Sequence, residues 1–134
     1  LWSMSLSYMP KSKSDVHITP DRVWSLIKGE WNYDEKDFFD PCPVNEKFDG
    51  LNVEWKELNY VNPPYSLLKE FVQKALDEQL YGNETILLLP TKTDQQWFHD
   101  LIKREADILW IKGRLKFKNN KWSATQPHFL ARLI

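Results

Sequence analysis

The sequence predicts an α/β domain: a mostly parallel sheet with an antiparallel C-terminal edge and helices on both faces. Three observations carry that reading. Apolar residues at Leu67, Leu68, Phe71, Val72, Ala75, Leu76 and Leu80 recur at helical spacing. Thr85-Ile86-Leu87-Leu88-Leu89 is a continuous run stopped by Pro90, as a buried parallel strand is written. Strand and helix patterns alternate through the first part of the chain, and its end is strand-rich.

Taken in order, the Ser/Lys/Met-rich stretch Leu1 to Ser14 reads as a flexible arm. The division expected is an arm over 1–15 and one folded domain over 16–134, starting near Val16. Thr19-Pro20-Asp21 opens a helix carrying Val23, Trp24, Leu26 and Ile27, with Thr19 able to cap it and Gly29 to close it. Phe38-Phe39 is a short strand within Asp37 to Cys42, where Pro41 and Pro43 enforce a turn. Leu58 to Val61 is a second short strand, running into Asn62-Pro63-Pro64-Tyr65. The helix that follows starts at Ser66 and ends at Gly82-Asn83.

After the run to Leu89, Asp94 can cap a third helix with Trp97, Phe98, Leu101 and Ile102. Ile108 to Ile111, Leu115 to Phe117 and Phe129 to Ile134 read as strands, with Lys118-Asn119-Asn120-Lys121 as a hairpin turn. Ligands on such sheets bind beyond the carboxyl ends of the strands. Asp40-Pro41-Cys42 and Asn62-Pro63-Pro64-Tyr65 both stand at such ends.

Composition narrows the function classes. The chain has 134 residues, is 42% hydrophobic and 14% aromatic, and can build a core. Its net charge of −1 gives no global field toward a polyanion, so any nucleic-acid contact must be a local basic patch. The one cysteine excludes an internal disulfide, argues against structural zinc and suits a reducing cytoplasm. No apolar run reaches membrane-spanning length, and no apolar signal core stands at the start. His17, His99 and His128 lack metal spacing, so no metal is expected.

The Asn62-Pro63-Pro64-Tyr65 turn carries the chemistry. Asn62 offers a side-chain carbonyl, and Pro63 a main-chain carbonyl on a stiff backbone. Two fixed acceptors suit a weakly nucleophilic exocyclic amine such as adenine N6, whose lone pair is freed as both hydrogens are held. Tyr65 supplies a face on which an extruded base can stack. The blander readings are a simple turn or a Pro-Pro-Tyr docking peptide.

In order, the chain reads Thr19-Pro20, Asp40-Pro41-Cys42, Asn62-Pro63-Pro64-Tyr65-Ser66, Leu88-Leu89-Pro90, Thr93 with Trp97-Phe98, and Gly113-Arg114-Leu115-Lys116-Phe117. In this set it resembles the phage-type (Dam-like) DNA N6-adenine methyltransferases, from Val16 to Ile134. The resemblance implies an abbreviated Rossmann-like class I methyltransferase sheet and an enzyme using S-adenosylmethionine. It implies direct transfer of the methyl group to N6 of adenine in DNA, double- or single-stranded. Asn62, Pro63, Pro64 and Tyr65 would then be catalytic, with Thr19, Pro20, Asp40, Pro41 and Cys42 at the cofactor. Asn-Pro-Pro-Tyr alone also occurs in methyltransferases of protein glutamine. The same residues are compatible with RNA adenine or cytosine N4 as substrate, and with a non-catalytic nucleic-acid-binding module of methyltransferase-like fold.

The sequence departs from larger methyltransferases in lacking a glycine-rich loop. About twenty residues separate Cys42 from Asn62, too few for a full set of βα units. No separate target-recognition domain fits, so strong sequence specificity is not expected. Trp97 and Phe98 line a pocket or pack in the core; Asp49, Glu54 and Glu57 are the candidate ribose acids. Asp37 with Asp40 also permits a paired-carboxylate hydrolase, though Asp40 is better explained by cofactor contacts, and Cys42 reads as a small residue beside the cofactor.

Lys103, Arg104, Lys112, Arg114, Lys116, Lys118 and Lys121 track phosphates or form a solvated face. Arg114, Lys116 and Lys118 are the nucleic-acid candidates. The expected setting is the cytoplasm of a bacterium, an archaeon or a virus-infected host. A strand-rich C-terminal edge is compatible with a homodimer.

Overall fold

The computed structural model describes residues 17–43 and 49–134. The arm over 1–15 and the start near Val16 lie outside the described residues. Helix α1 spans Asp21–Trp31 and buries Val23 and Ile27, one turn apart. It does not close at Gly29. It runs on to Asn32, which takes the left-handed conformation (φ 61°) while its N–H reaches the Lys28 carbonyl. Nor does Thr19 cap it: Pro20 holds the N-cap position, and the Thr19 hydroxyl lies 2.7 Å from the Tyr60 hydroxyl.

A short 3-10 turn, Glu35–Asp37, leads to Phe39. The strand expected at Phe38-Phe39 is reduced to a single parallel bridge, Phe39 with Asn59, secured by Phe39 N–H to Leu58 O and Tyr60 N–H to Phe39 O. Strand β1 is Leu58–Val61, and its exit passes through a second 3-10 turn, Tyr65–Leu67, before helix α2, Leu68–Leu80. Gly82 ends that helix at φ +85°, where any other L-residue would be strained. Strand β2 is Glu84–Pro90, helix α3 Gln96–Lys103, strand β3 Asp107–Trp110 and strand β4 His128–Leu133. Gln95, not Asp94, holds the N-cap position of α3, without a side-chain cap.

The sheet order is β1-β2-β4-β3. Strands β1 and β2 pair in parallel, while β4 is antiparallel to both β2 and β3. The expectation of a mostly parallel sheet is therefore overturned: this is a four-stranded mixed sheet. The last strand is also interior and not an edge. Paired with β2 on one side and β3 on the other and covered on both faces, it buries Phe129, Leu130, Ala131 and Leu133 fully. The edge falls to β3, whose Trp110 is exposed.

Side chains alternate along the strands between two cores. Val61, Leu87, Leu89, Phe129, Ala131 and Leu133 pack with α2 and α3 on one face. Tyr60, Ile86, Leu88 and Leu130 pack with α1 on the other. Leu115 and Phe117 join that second core at 1% exposure, yet form no strand. Their backbone is held by single bonds instead, Ala124 N–H to Leu115 O and Lys118 N–H to Ile18 O. The turn expected over 118–121 closes as Asn120 N–H to Phe117 O, without a strand pair around it and without a left-handed asparagine.

Candidate active site

Strand direction assembles the site. The parallel bridge of Phe39 with Asn59 sends Asp40-Pro41-Cys42 and Asn62-Pro63-Pro64-Tyr65 out at the same end of the sheet. Pro90 pairs with His128, so β2 ends and β4 begins at that end too. The loop from 49 to 55 backs the first motif. The Trp55 indole N–H donates to Gly50 O at 2.8 Å, and Gly50 lies so close to Pro41 that an added Cβ would stand 1.8 Å from the Pro41 carbonyl oxygen. Only glycine permits that approach.

The Asn62 amide is oriented by what it donates to. Its Nδ2 donates to His17 O at 2.8 Å and to Thr19 Oγ1 at 3.1 Å. Both N–H groups are thereby used, and the side-chain carbonyl has no donor among the described residues. No hydrogen bond among the described residues takes up the Pro63 carbonyl either. Pro63 and Pro64 are buried, so this backbone is both stiff and packed. Two neutral acceptors at one strand end thus await a donor.

Tyr65 is oriented by an aromatic cluster. Its hydroxyl lies 2.8 Å from His128 Nε2, and its ring centroid 4.6 Å from that of His17 and 6.1 Å from that of His128. Phe117 closes the group, 4.6 Å from His17 and 5.4 Å from His128. Burial pushes the His128 imidazole down to about 4, with the nearby His17 adding to the effect, so the ring is neutral at pH 7. Its Nδ1 is 3.2 Å from the Gln126 carbonyl, which can only accept. Nδ1 therefore carries the proton, Nε2 accepts, and the Tyr65 O–H donates. Burial pushes the Tyr65 phenol up to about 12, keeping that donor protonated. Beside this cluster lies a cleft of about 390 Å³, walled by Asn120, Trp122 and Thr125.

Asp40 is half-buried, and burial raises its carboxyl to about 6, partly offset by the Cys42 N–H that donates to Oδ1 at 2.8 Å. Its second oxygen has no donor among the described residues. Asp37 does not pair with it: Asp37 accepts the Asp34 N–H at 2.8 Å inside the 3-10 turn. Of the three ribose candidates, Asp49 is engaged by the Leu51 N–H and the Asn52 side chain, while Glu54 and Glu57 are exposed. Thr19 reaches the site through Asn62 and Tyr60; Pro20 follows it at the head of α1.

Trp97 and Phe98 belong to the core, 6% and 8% exposed, where both pack on Phe129. The basic residues close in sequence are not gathered into one free patch. Arg104 donates to Leu76 O, Arg114 to Thr125 O at 2.8 Å, and Lys118 pairs with Asp21 at 2.7 Å. Lys116 is exposed, with no ion pair among the described residues. Among the described residues no group of three or more His, Cys, Asp or Glu could hold a metal ion, and no helix is long and apolar enough to cross a membrane.

Sequence reasoning missed His17, His128 and Gly50. Spacing speaks to the histidines only as metal ligands, and it is silent on their role as supports for an aromatic ring. The signals that could have found them are His17 two residues before Thr19 and His128 at the head of the last strand.

Comparison with known proteins bears out the family resemblance. A family model described as DNA N-6-adenine-methyltransferase (Dam) matches residues 6–129. The chain is similar to a DNA N-6-adenine-methyltransferase of Escherichia phage T1, 30% identical over 115 residues, covering 79% of this chain and 48% of that protein. It is also similar to one of Haemophilus phage HP1 (strain HP1c1), 26% identical over 131 residues, covering 88% of this chain and 75% of that protein. The chain thus spans about half the length of the phage T1 protein. No solved structure matches it.

Proposed function

The chain belongs to the DNA N-6-adenine-methyltransferase (Dam) family, and from that premise we propose that it methylates N6 of adenine in DNA, using S-adenosylmethionine. The observation that carries the reading is the Asn62 amide. With both N–H groups donated to His17 O and Thr19 Oγ1, its carbonyl is left the task of an acceptor and not of a donor. An amide turned the other way would oppose the amine it has to hold.

The residues act in three ways. Asn62 Oδ1 and the Pro63 carbonyl accept from the two N6 hydrogens, drawing the nitrogen toward tetrahedral geometry and freeing its lone pair. Neither carbonyl is a base, so the proton shed by N6 leaves to water. The Tyr65 ring, held from behind by His17 and His128, offers its face to an adenine taken out of the stack.

Asp40, Pro41 and Cys42, with Thr19 and Pro20 alongside, would hold the cofactor. The donor set fits it: a half-buried carboxylate with one oxygen still to be engaged suits an ammonium or hydroxyl group. When bound, S-adenosylmethionine supplies an electrophilic methyl group on a sulfonium. The fold consistent with this is an abbreviated Rossmann-like sheet; phosphate contacts fall to Lys116, with Arg114 shaping the loop beside the cleft.

The test uses deuterated-methyl S-adenosylmethionine with single- and double-stranded DNA and RNA, followed by nucleoside mass spectrometry. Labelled N6-methyldeoxyadenosine, absent with Asn62→Ala, is the expected result. Label in N6-methyladenosine of RNA, in N4-methylcytosine or in protein alone would overturn the substrate. No label together with no cofactor binding heat would overturn the enzyme.

A further inference from the structure

His128 has no place in the motif that defines the site, yet it touches both sides of it. Its Nε2 takes the Tyr65 hydroxyl at 2.8 Å, and its Nδ1–H holds the Gln126 carbonyl at 3.2 Å. Gln126 follows directly on residues 120–125, which line the cleft beside Tyr65. His128 is itself anchored: its carbonyl accepts the Ile111 N–H, and its neighbour Pro127 accepts the Thr91 N–H at 2.8 Å. At 2% exposure it has little freedom to move, and Phe117 meets its ring edge to face.

We infer that His128 is a positioning residue for methyl transfer, acting through the Tyr65 hydroxyl to fix the plane on which the target base stacks. The inference rests on the adenine-methyltransferase reading above. The physical argument concerns the Tyr65 hydroxyl, which sits in a half-buried site with His128 as its one hydrogen-bond partner among the described residues. Remove the imidazole and the ring loses the hydrogen bond that fixes its angle, so that it tilts to bring the hydroxyl to water. A base stacked on a tilted ring no longer presents N6 to Asn62 and Pro63, and small misplacements of reacting groups cost rate steeply. Take the hydroxyl away first, and that bond is already gone, so the imidazole has nothing left to hold.

The experiment is a double-mutant cycle on full-length protein: wild type, His128→Ala, Tyr65→Phe and the double variant, with His128→Gln as the conservative replacement. Steady-state methylation of DNA, the dissociation constant for S-adenosylmethionine and thermal stability are measured for each. His128→Ala is expected to lower kcat/KM for DNA about tenfold or more in the wild-type background and far less in the Tyr65→Phe background. His128→Gln, which restores an acceptor near Nε2, is expected to recover part of the loss, and cofactor affinity should stay unchanged. Equal penalties in both backgrounds, or a loss of cofactor binding that follows the fall in melting temperature, would overturn the inference and leave His128 a packing residue. A wild-type protein that methylates no adenine would overturn the parent reading, and this inference with it.

Discussion

At the end of the sheet where β2 begins, charged side chains pair with one another; at the end where β1 stops, several acceptors have no donor among the described residues. Arg132 Nε meets Glu84 at 2.7 Å, Tyr33 donates to the same carboxylate at 3.1 Å, and Asp107 stands 3.7 Å from Arg132. Trp31 lies beneath the guanidinium. At the opposite end, Asn62 Oδ1, the Pro63 carbonyl and one Asp40 oxygen have no donor among the described residues. The charge-saturated end ties four elements together through these contacts. The under-satisfied end also anchors its groups, but leaves these acceptors without a donor among the described residues. On the proposed function, the first cluster is structural and the second chemical.

The strongest way to break this contrast is Asn62→Ala. Loss of one preorganised acceptor should lower methyl transfer by about 10²–10³-fold, with S-adenosylmethionine binding nearly unchanged by calorimetry. Activity equal to wild type would show that the side-chain carbonyl does nothing chemical.

A second test uses pH, because the site end holds two titrating groups, half-buried Asp40 and buried His128, that shift with opposite signs. Asp40 titrates near 6 when folded, against 3.8 ordinarily, so the native state holds a proton that the unfolded chain releases. Its contribution to stability therefore falls as pH rises from about 4 to 6. His128 titrates near 4, against 6.5 ordinarily, so the native state refuses a proton that the unfolded chain takes. Its contribution falls as pH drops from about 6.5 to 4. Each swing is about 3 kcal/mol at most, and in wild type they oppose each other. Thermal melts across this range should show Asp40→Asn gaining stability with rising pH and His128→Gln losing it. Parallel curves for all three proteins would place both groups at ordinary values.

At the saturated end, Glu84→Gln removes a charge from a partly buried ion pair and should cost about 2 kcal/mol of stability. Activity per folded molecule should not change, as read by urea denaturation beside initial rates. A fall in kcat would mean that the two ends are coupled. The smallest effect expected concerns DNA. Lys118 is already paired with Asp21, whereas Lys116 has no ion pair among the described residues. Lys116→Ala should thus weaken DNA binding and flatten its salt dependence more than Lys118→Ala does. The reverse order in a fluorescence titration would assign the phosphate contact to Lys118.

Several elements were legible in the residues alone because their signals are local. The strand Leu58–Val61 lies where its apolar run and the following prolines put it, and α2 ends where Gly82 supplies a positive φ. Local signals misled where a long-range partner competed. Thr19 has the chemistry of a helix cap, but Tyr60 and Asn62, some forty residues away, hold its hydroxyl. Leu115 and Phe117 read as a strand because they are apolar at alternate positions; they bury their side chains without a neighbour to pair with. Asn62-Pro63-Pro64-Tyr65 declared its two acceptors by composition, since proline and asparagine bring them wherever they stand.

What the sequence determined by itself was therefore the inventory: which runs can be strands or helices, and which turn carries stiff, neutral acceptors. Tertiary structure decided the rest. It placed β4 inside the sheet, between β2 and β3, where cover on both faces buries four of its side chains fully. It turned the Asn62 amide by the two acceptors it met, and it brought His17 and His128 onto Tyr65 from opposite ends of the described chain. Orientation and free valence depend on partners distant in sequence, and only the folded chain brings those partners within hydrogen-bonding distance.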